Sequence, residues 1–277
     1  MHTRLSYHAA LDQHRMQRGL SRISWATWAI VAVTMVMWCF TAYETALVVG
    51  AHTLHDILAN VLANAINVQP KDNDALSGVL ITYGAKDNDL IVHGQYWRFV
   101  APIFLHVNAL HVGLNMLNLV VMGVFVERLV GHLRFLLIYL VTGVVGIIAS
   151  FYFAPQDISV GASGAIFGLV GAYSMFVLMH RHAFRGGGIF AVPWLVAVIG
   201  LNLSIGLFVQ NVDNYAHLGG LISGCLLGWW FAPLYRLSDT HAFVDMHSLS
   251  RRWFLAVLTI AGTLALALLS VYLQTGR

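Results

Sequence analysis

Apolar residues in this chain come in long, nearly uncharged runs instead of alternating with polar ones. Seven such runs lie at approximately 23–46, 108–126, 135–153, 161–179, 189–209, 215–234 and 253–273. Each approaches the roughly 20 residues that a helix needs to cross a bilayer core. Only helices and closed barrels satisfy every backbone group in lipid, and runs of this length predict helices. The fold class expected is therefore all-α, a polytopic membrane helix bundle. The expected organisation is a polar tail over 1–22, a helical core over 23–235 with one long loop at 47–107, a linker over 236–252, and a further helix with a short tail over 253–277. The remaining connections, such as PQDISV, QNVDNY and RHAFRGGG, are short. Consecutive helices are thus antiparallel neighbours in one compact bundle.

The long loop has its own pattern. Leu54, Ile57, Leu58, Val61 and Leu62 recur at helical spacing opposite Asn60, Asn64 and Asn67, which predicts a helix lying in the membrane interface. The tetrad KDND occurs at 71 and again at 86 and is taken as turn chemistry, not as a repeat architecture. Trp97 and Arg98, at the edge of the second run, have the character of a belt aromatic beside a snorkelling cation. The first run follows a largely polar tail of 22 residues and exceeds the 7 to 15 apolar residues of a signal peptide. It is expected to remain in the mature chain.

Composition agrees with this picture: 58% of the 277 residues are hydrophobic and 10% charged, against about a quarter charged in a soluble domain. Placing the N-terminus in the cytoplasm puts eleven arginines on that side and leaves Lys71, Lys86, Arg98 and Arg277 outside, as positive residues prefer. The net charge of +3 then belongs to topology and to anionic headgroups of the lipid bilayer. No basic patch with interleaved aromatics points to nucleic acid. Cys39 and Cys225 fall inside apolar runs, where no disulfide framework can be read and packing is the expected role.

Ionisable and polar groups within membrane spans are costly, and they mark candidate functional sites. The second, fourth and sixth runs all start on the external side. Each carries its unusual polar residues in its first turns: His111 and Asn115, then Ser163, then His217. His111 and Asn115 are four apart and share a helix face. Gly164, Gly168 and Ala172 form one small-residue stripe, and Ala216, Gly220, Gly224 and Gly228 another, the spacing that lets two helix backbones approach closely. Ser163 precedes the first stripe by one residue and His217 follows the start of the second by one. A hydrogen bond between them is expected, as a histidine requires to activate a serine. The blander alternatives are a capping or packing serine, a histidine bonded to a neighbour, and Asn115 as interhelical glue.

Other chemistries are excluded by what is missing. H-E-x-x-H is absent, no pair of carboxylates occupies the middle of the spans, and neither a metal nor any other cofactor is expected. GASGA departs from the G-x-S-x-G elbow, and no strand precedes it. With no acid seen to orient the histidine, serine chemistry here would use a dyad.

Taken together, Tyr96-Trp97-Arg98, His106, His111 and Asn115 in HVNALHVGLN, Glu127-Arg128, Gly161-Ala162-Ser163-Gly164 and Ala216-His217-Leu218-Gly219-Gly220 resemble the rhomboid intramembrane serine proteases. The resemblance covers about residues 90–235 and the first span. It implies a six-helix core, to which this chain adds a seventh helix. It also implies that Ser163 is the nucleophile and His217 the general base, with His111, Asn115 and the Ser163 N–H as donors to the oxyanion. Phe167 would stand where the family places an aromatic, often Tyr, against the base. Phe167, Gly161, Trp97 and Arg98 would support the substrate site. The implied partners are transmembrane protein substrates, cut near their external end after a small residue, with the long loop and the fifth span flanking a lateral access route. The implied location is a plasma or inner membrane. Two alternatives stand beside this. A non-catalytic relative binding transmembrane clients would characteristically lack the serine or the histidine. A transporter would want polar groups at the midplane and often inverted repeats.

Overall fold

A computed structural model describes residues 23–63, 65, 74–180, 212–237 and 243–276. The fifth apolar run at 189–209, the tail over 1–22, the loop RHAFRGGG, the first three residues of the first KDND, Asn64 and Asn67 lie outside the described residues.

The other six apolar runs fold as helices close to their expected limits. They are α1 (Trp25–Val48), α5 (Ala109–Val130), α6 (His132–Phe153), α7 (Ser163–Met179), α8 (Asn214–Phe231) and α9 (Trp253–Thr275). Between α1 and α5 stand α2 (Leu54–Ala63), α3 (Asp74–Thr82) and α4 (Asn88–Val92), then two 3₁₀ turns at Tyr96–Phe99 and Ala101–Phe104. α1, α5, α6 and α9 are long and apolar enough to cross a bilayer. α7 and α8 are shorter, at 17 and 18 residues. Every residue from Gly164 to Tyr173 is buried, so α7 stands at the centre of the bundle and presents protein, not lipid, with its surface.

The core joins Ile103, Val112, Met116 and Leu119 to Phe135, Tyr139, Leu169, Tyr173 and Phe231. α5 carries a π-helical turn at Leu119–Gly123, the kind of bulge that bends a helix. At Gly123 a Cβ would stand 3.0 Å from the Thr27 methyl of α1. One turn on, the fully buried Glu127 carboxylate accepts hydrogen bonds from the backbone N–H groups of Ala26 (3.0 Å) and Thr27 (2.7 Å) and from the Thr27 hydroxyl (2.6 Å). His132 Nδ1 meets the oxygen that serves Ala26. The sequence shows Glu127 only as an acid at a span end. In the fold it satisfies the N-terminus of α1, where a carboxylate is favoured by both orphan N–H groups and the helix dipole.

Several placements differ from expectation. Arg98 is 3% exposed and does not snorkel: its guanidinium donates to Gln95 Oε1 and to the carbonyls of Ile81 and Ala85, closing the end of α3 against the 3₁₀ turn. Trp97 stays half exposed, as a belt aromatic would, and packs one face on bare backbone at Gly84 (φ +108), where a Cβ would overlap the indole at 2.2 Å. Cys39 faces outward from α1 instead of packing inward. Lys86, expected at an external surface, is buried and donates to the carbonyls of Ala154 (2.6 Å) and Asp157 (2.7 Å), while its backbone pairs with Ser159. Burial pushes its pKa down to about 8.

α9 packs by Ala267 and Val271 on Ile91, Phe99 and Phe151, which bind it to α6, α4 and the 3₁₀ turn. At the opposite end, Arg134 of α6 donates to the Phe231 carbonyl, to Asp245 (2.8 Å) and to the His247 carbonyl. The Arg252 guanidinium donates to the Trp230 carbonyl at 2.6 Å. Here, among the described residues, the helical fold admits a three-residue antiparallel ladder of β1 (Tyr235–Leu237) and β2 (Phe243–Asp245).

Candidate active site

The site begins with a turn. Gly161 adopts φ +130, and its N–H donates to the Pro102 carbonyl at 2.9 Å; glycine takes such a φ without the Cβ penalty. The next N–H, of Ala162, donates to His106 Nε2 at 3.3 Å. Ser163 then opens α7, so its own N–H is among the helix-terminal donors that have no intrahelical acceptor.

α8 opens beside it. Asp213 caps this helix, its carboxylate accepting from the Ala216 N–H at 2.9 Å, and His217 follows in the first turn. Below that turn, three glycines of α8 leave no room for a side chain against α7. A Cβ on Gly220 would lie 2.0 Å from the Gly164 carbonyl oxygen, one on Gly224 2.1 Å from that of Gly168, and one on Gly228 2.6 Å from that of Ala172. The two small-residue stripes thus meet in register, glycine against backbone.

That apposition brings His217 Nε2 to 2.8 Å from Ser163 Oγ. The imidazole is 7% exposed and stacks on Phe167, ring centroids 4.5 Å apart and planes 22° from parallel. Ser163 keeps partial exposure. His111 approaches from the other side: a Cβ at Gly161 would stand 3.0 Å from its Nε2 and 3.8 Å from Ser163 Oγ. Asn108 caps α5, accepting from the His111 N–H at 2.7 Å. Asn115 donates from its side-chain amide to the His111 carbonyl at 3.0 Å. Ser163, His217, Phe167, Gly161 and His111 are therefore assembled directly, with Asn115 joined through His111.

Trp97 and Arg98 stand apart from this group. Among the described residues their hydrogen bonds and ring contacts reach Gln95, α3, the Gly84–Ala85 turn and each other, a scaffold for the loop and not for Ser163. Two participants were not singled out by residue spacing: Asp213, a cap legible as an acid just before a helix, and His106, whose partner is a backbone group 56 residues away. Among the described residues no group of three or more His, Cys, Asp or Glu is placed to hold a metal ion.

A serine hydroxyl in hydrogen-bond contact with an imidazole, beside a helix N-terminus and a second histidine, is an arrangement fit for acyl transfer. The Rhomboid domain matches residues 93–234, which contain all of these groups. The chain belongs to the rhomboid family. This rhomboid is 47% identical over 146 residues to the "Rhomboid protease GluP" of Bacillus subtilis (strain 168), covering 52% of this chain and 28% of that protein. It is 39% identical over 168 residues to "RHOMBOID-like protein 1" of Arabidopsis thaliana, covering 59% and 43%. With "RHOMBOID-like protein 6, mitochondrial" of the same plant it shares 33% over 228 residues, 79% and 73% of the two chains. The chain thus spans less than half the length of the first two of these relatives.

Proposed function

We propose that this rhomboid is an intramembrane serine endopeptidase. The observation that carries the proposal is the 2.8 Å contact between Ser163 Oγ and His217 Nε2, inside the roughly 3.2 Å reach of a productive nucleophile and base.

In the proposed reaction His217 Nε2 takes the hydroxyl proton as Ser163 Oγ attacks the scissile carbonyl. Phe167 holds the imidazole by stacking on it. The oxyanion forms beside the Ser163 N–H and the His111 ring, with Asn115 as a further donor; one donor of this kind is typically worth about 3–4 kcal/mol. Collapse breaks the C–N bond and the amine leaves with the proton carried by His217. Water, deprotonated by the same imidazole, then releases the acyl group.

The substrates proposed are transmembrane segments of other proteins, cut near their external end after a small residue. The site lies at the N-terminal ends of α5, α7 and α8, a shallow position that water can reach from one side. A bond within a helix must first lose its hydrogen bonds, so the segment must unwind at that depth. The proposed orientation places the N-terminus in the cytoplasm and the C-terminus outside, in a plasma or inner membrane. α2, whose Leu54, Leu58 and Leu62 all face outward, would then lie in the outer interface.

A serine-directed fluorophosphonate tests the pairing of the two groups. The parent protein in liposomes is expected to be labelled at Ser163, and both Ser163→Ala and His217→Ala are expected to abolish labelling while inserting normally. Undiminished labelling of the His217 variant would contradict the assignment of the base.

A further inference from the structure

The Ser163 loop hangs from two successive N–H groups. Gly161 donates to the Pro102 carbonyl and Ala162 to His106 Nε2. The histidine is 1% exposed and meets His111 edge-on, ring centroids 4.9 Å apart. A ring nitrogen that accepts an N–H carries no proton, so His106 must be neutral with its hydrogen on Nδ1.

We infer that His106 is a positioning residue for the reaction: its unprotonated Nε2 holds the Ala162 N–H and thereby aims the Ser163 N–H and hydroxyl, while its ring edge fixes the plane of His111. Two geometric facts make this specific. The bond falls on the residue immediately before Ser163. Its neighbour Gly161 is at a positive φ that glycine enters and leaves without a Cβ penalty, so the Ala162 bond is a tether that the Gly161 backbone does not supply by its own conformational preference. The acceptor, not the ring's bulk, is the working part.

Substitution separates these properties. In His106→Gln the acceptor oxygen lies three bonds from Cβ, as Nε2 does in the parent. In His106→Asn it lies two bonds out, where Nδ1 stands, and His106→Leu has no acceptor. The kinetic arm rests on the protease proposal. For a transmembrane reporter in liposomes, His106→Gln is expected to keep kcat within a few-fold of the parent. The Asn and Leu variants are expected to lose roughly 10- to 100-fold in kcat, the scale of an ångström of misplacement, at little change in KM. Equal losses in the Gln and Asn variants, or parental kcat in the Leu variant, would overturn the inference.

The second arm needs neither activity nor a folded variant. Histidine ring ¹⁵N spectra of the parent, with His106 assigned through its contact with the Ala162 amide, are expected to show the Nδ1–H tautomer. A proton on Nε2 would overturn the inference. Should the parent cleave nothing, the protease proposal fails while the tautomer still decides the role of His106.

Discussion

The tight backbone approach between α7 and α8 offers a sharp perturbation, Gly220→Ala. The added Cβ would stand 2.0 Å from the Gly164 carbonyl oxygen. Ordinary contact begins at 3.4 Å, so α7 and α8 must move apart by about 1.4 Å. Both neighbours are backbone and neither can rotate away. Gly164 follows Ser163 directly, and Gly220 lies one turn below His217. Carried to the dyad, the movement stretches the 2.8 Å contact to at most about 4.2 Å, beyond hydrogen-bond length. Overpacking of this kind costs about 1–3 kcal/mol of stability, and misplacement by an ångström costs about 100-fold in rate. The assay is reporter cleavage in liposomes, well below the variant's unfolding temperature, with kcat and KM separated and thermal unfolding followed in parallel. Gly262→Ala is the control. Gly262 has nothing within 4 Å of the new Cβ, so that variant is expected to cleave normally and to unfold no earlier. If Gly220→Ala cleaves at the parental kcat, the glycine apposition does not set the site's geometry.

Three further outcomes are expected. Asn115→Ala should lower kcat by about 100-fold and leave expression intact; a variant that is mainly destabilised would make Asn115 interhelical packing instead. Glu127→Gln, which keeps one acceptor oxygen for three donors on α1, should destabilise the folded protein by roughly 1.5–3 kcal/mol, read by unfolding in detergent; an unchanged midpoint would refute the cap. Lys86 has its pKa lowered by burial to about 8 from 10.5, so the folded state disfavours its charged form. Its contribution to stability is therefore largest above pH 10.5 and is lost as pH falls to 8. The stability of the parent relative to Lys86→Met should accordingly rise with pH across that window, and a flat or falling difference would refute it.

How much of this the sequence disclosed depends on the range of the interaction. Helix positions follow from apolar run length, which is local. The meeting of Ser163 and His217 was legible because glycine spacing is periodic on both helices and states which faces can touch. The Phe167 stack came from resemblance and is seen in the fold. Contacts without a local pattern stayed hidden. Arg98 at a span edge looks like a snorkelling cation, and only the Ile81 and Ala85 carbonyls of another segment reveal it as a buried tie. Glu127 meets the start of α1 across 100 residues, and His106 meets Ala162 across 56. The β1–β2 ladder is three residues long, too short to leave an alternating pattern.

The central claim is tested most directly with the purified protein in liposomes and a single-pass helical reporter, comparing the parent with Ser163→Ala. The expected result is a cut near the reporter's external end by the parent and none by the variant, with both proteins unfolding at the same temperature. Cleavage by Ser163→Ala at the parental rate would contradict it.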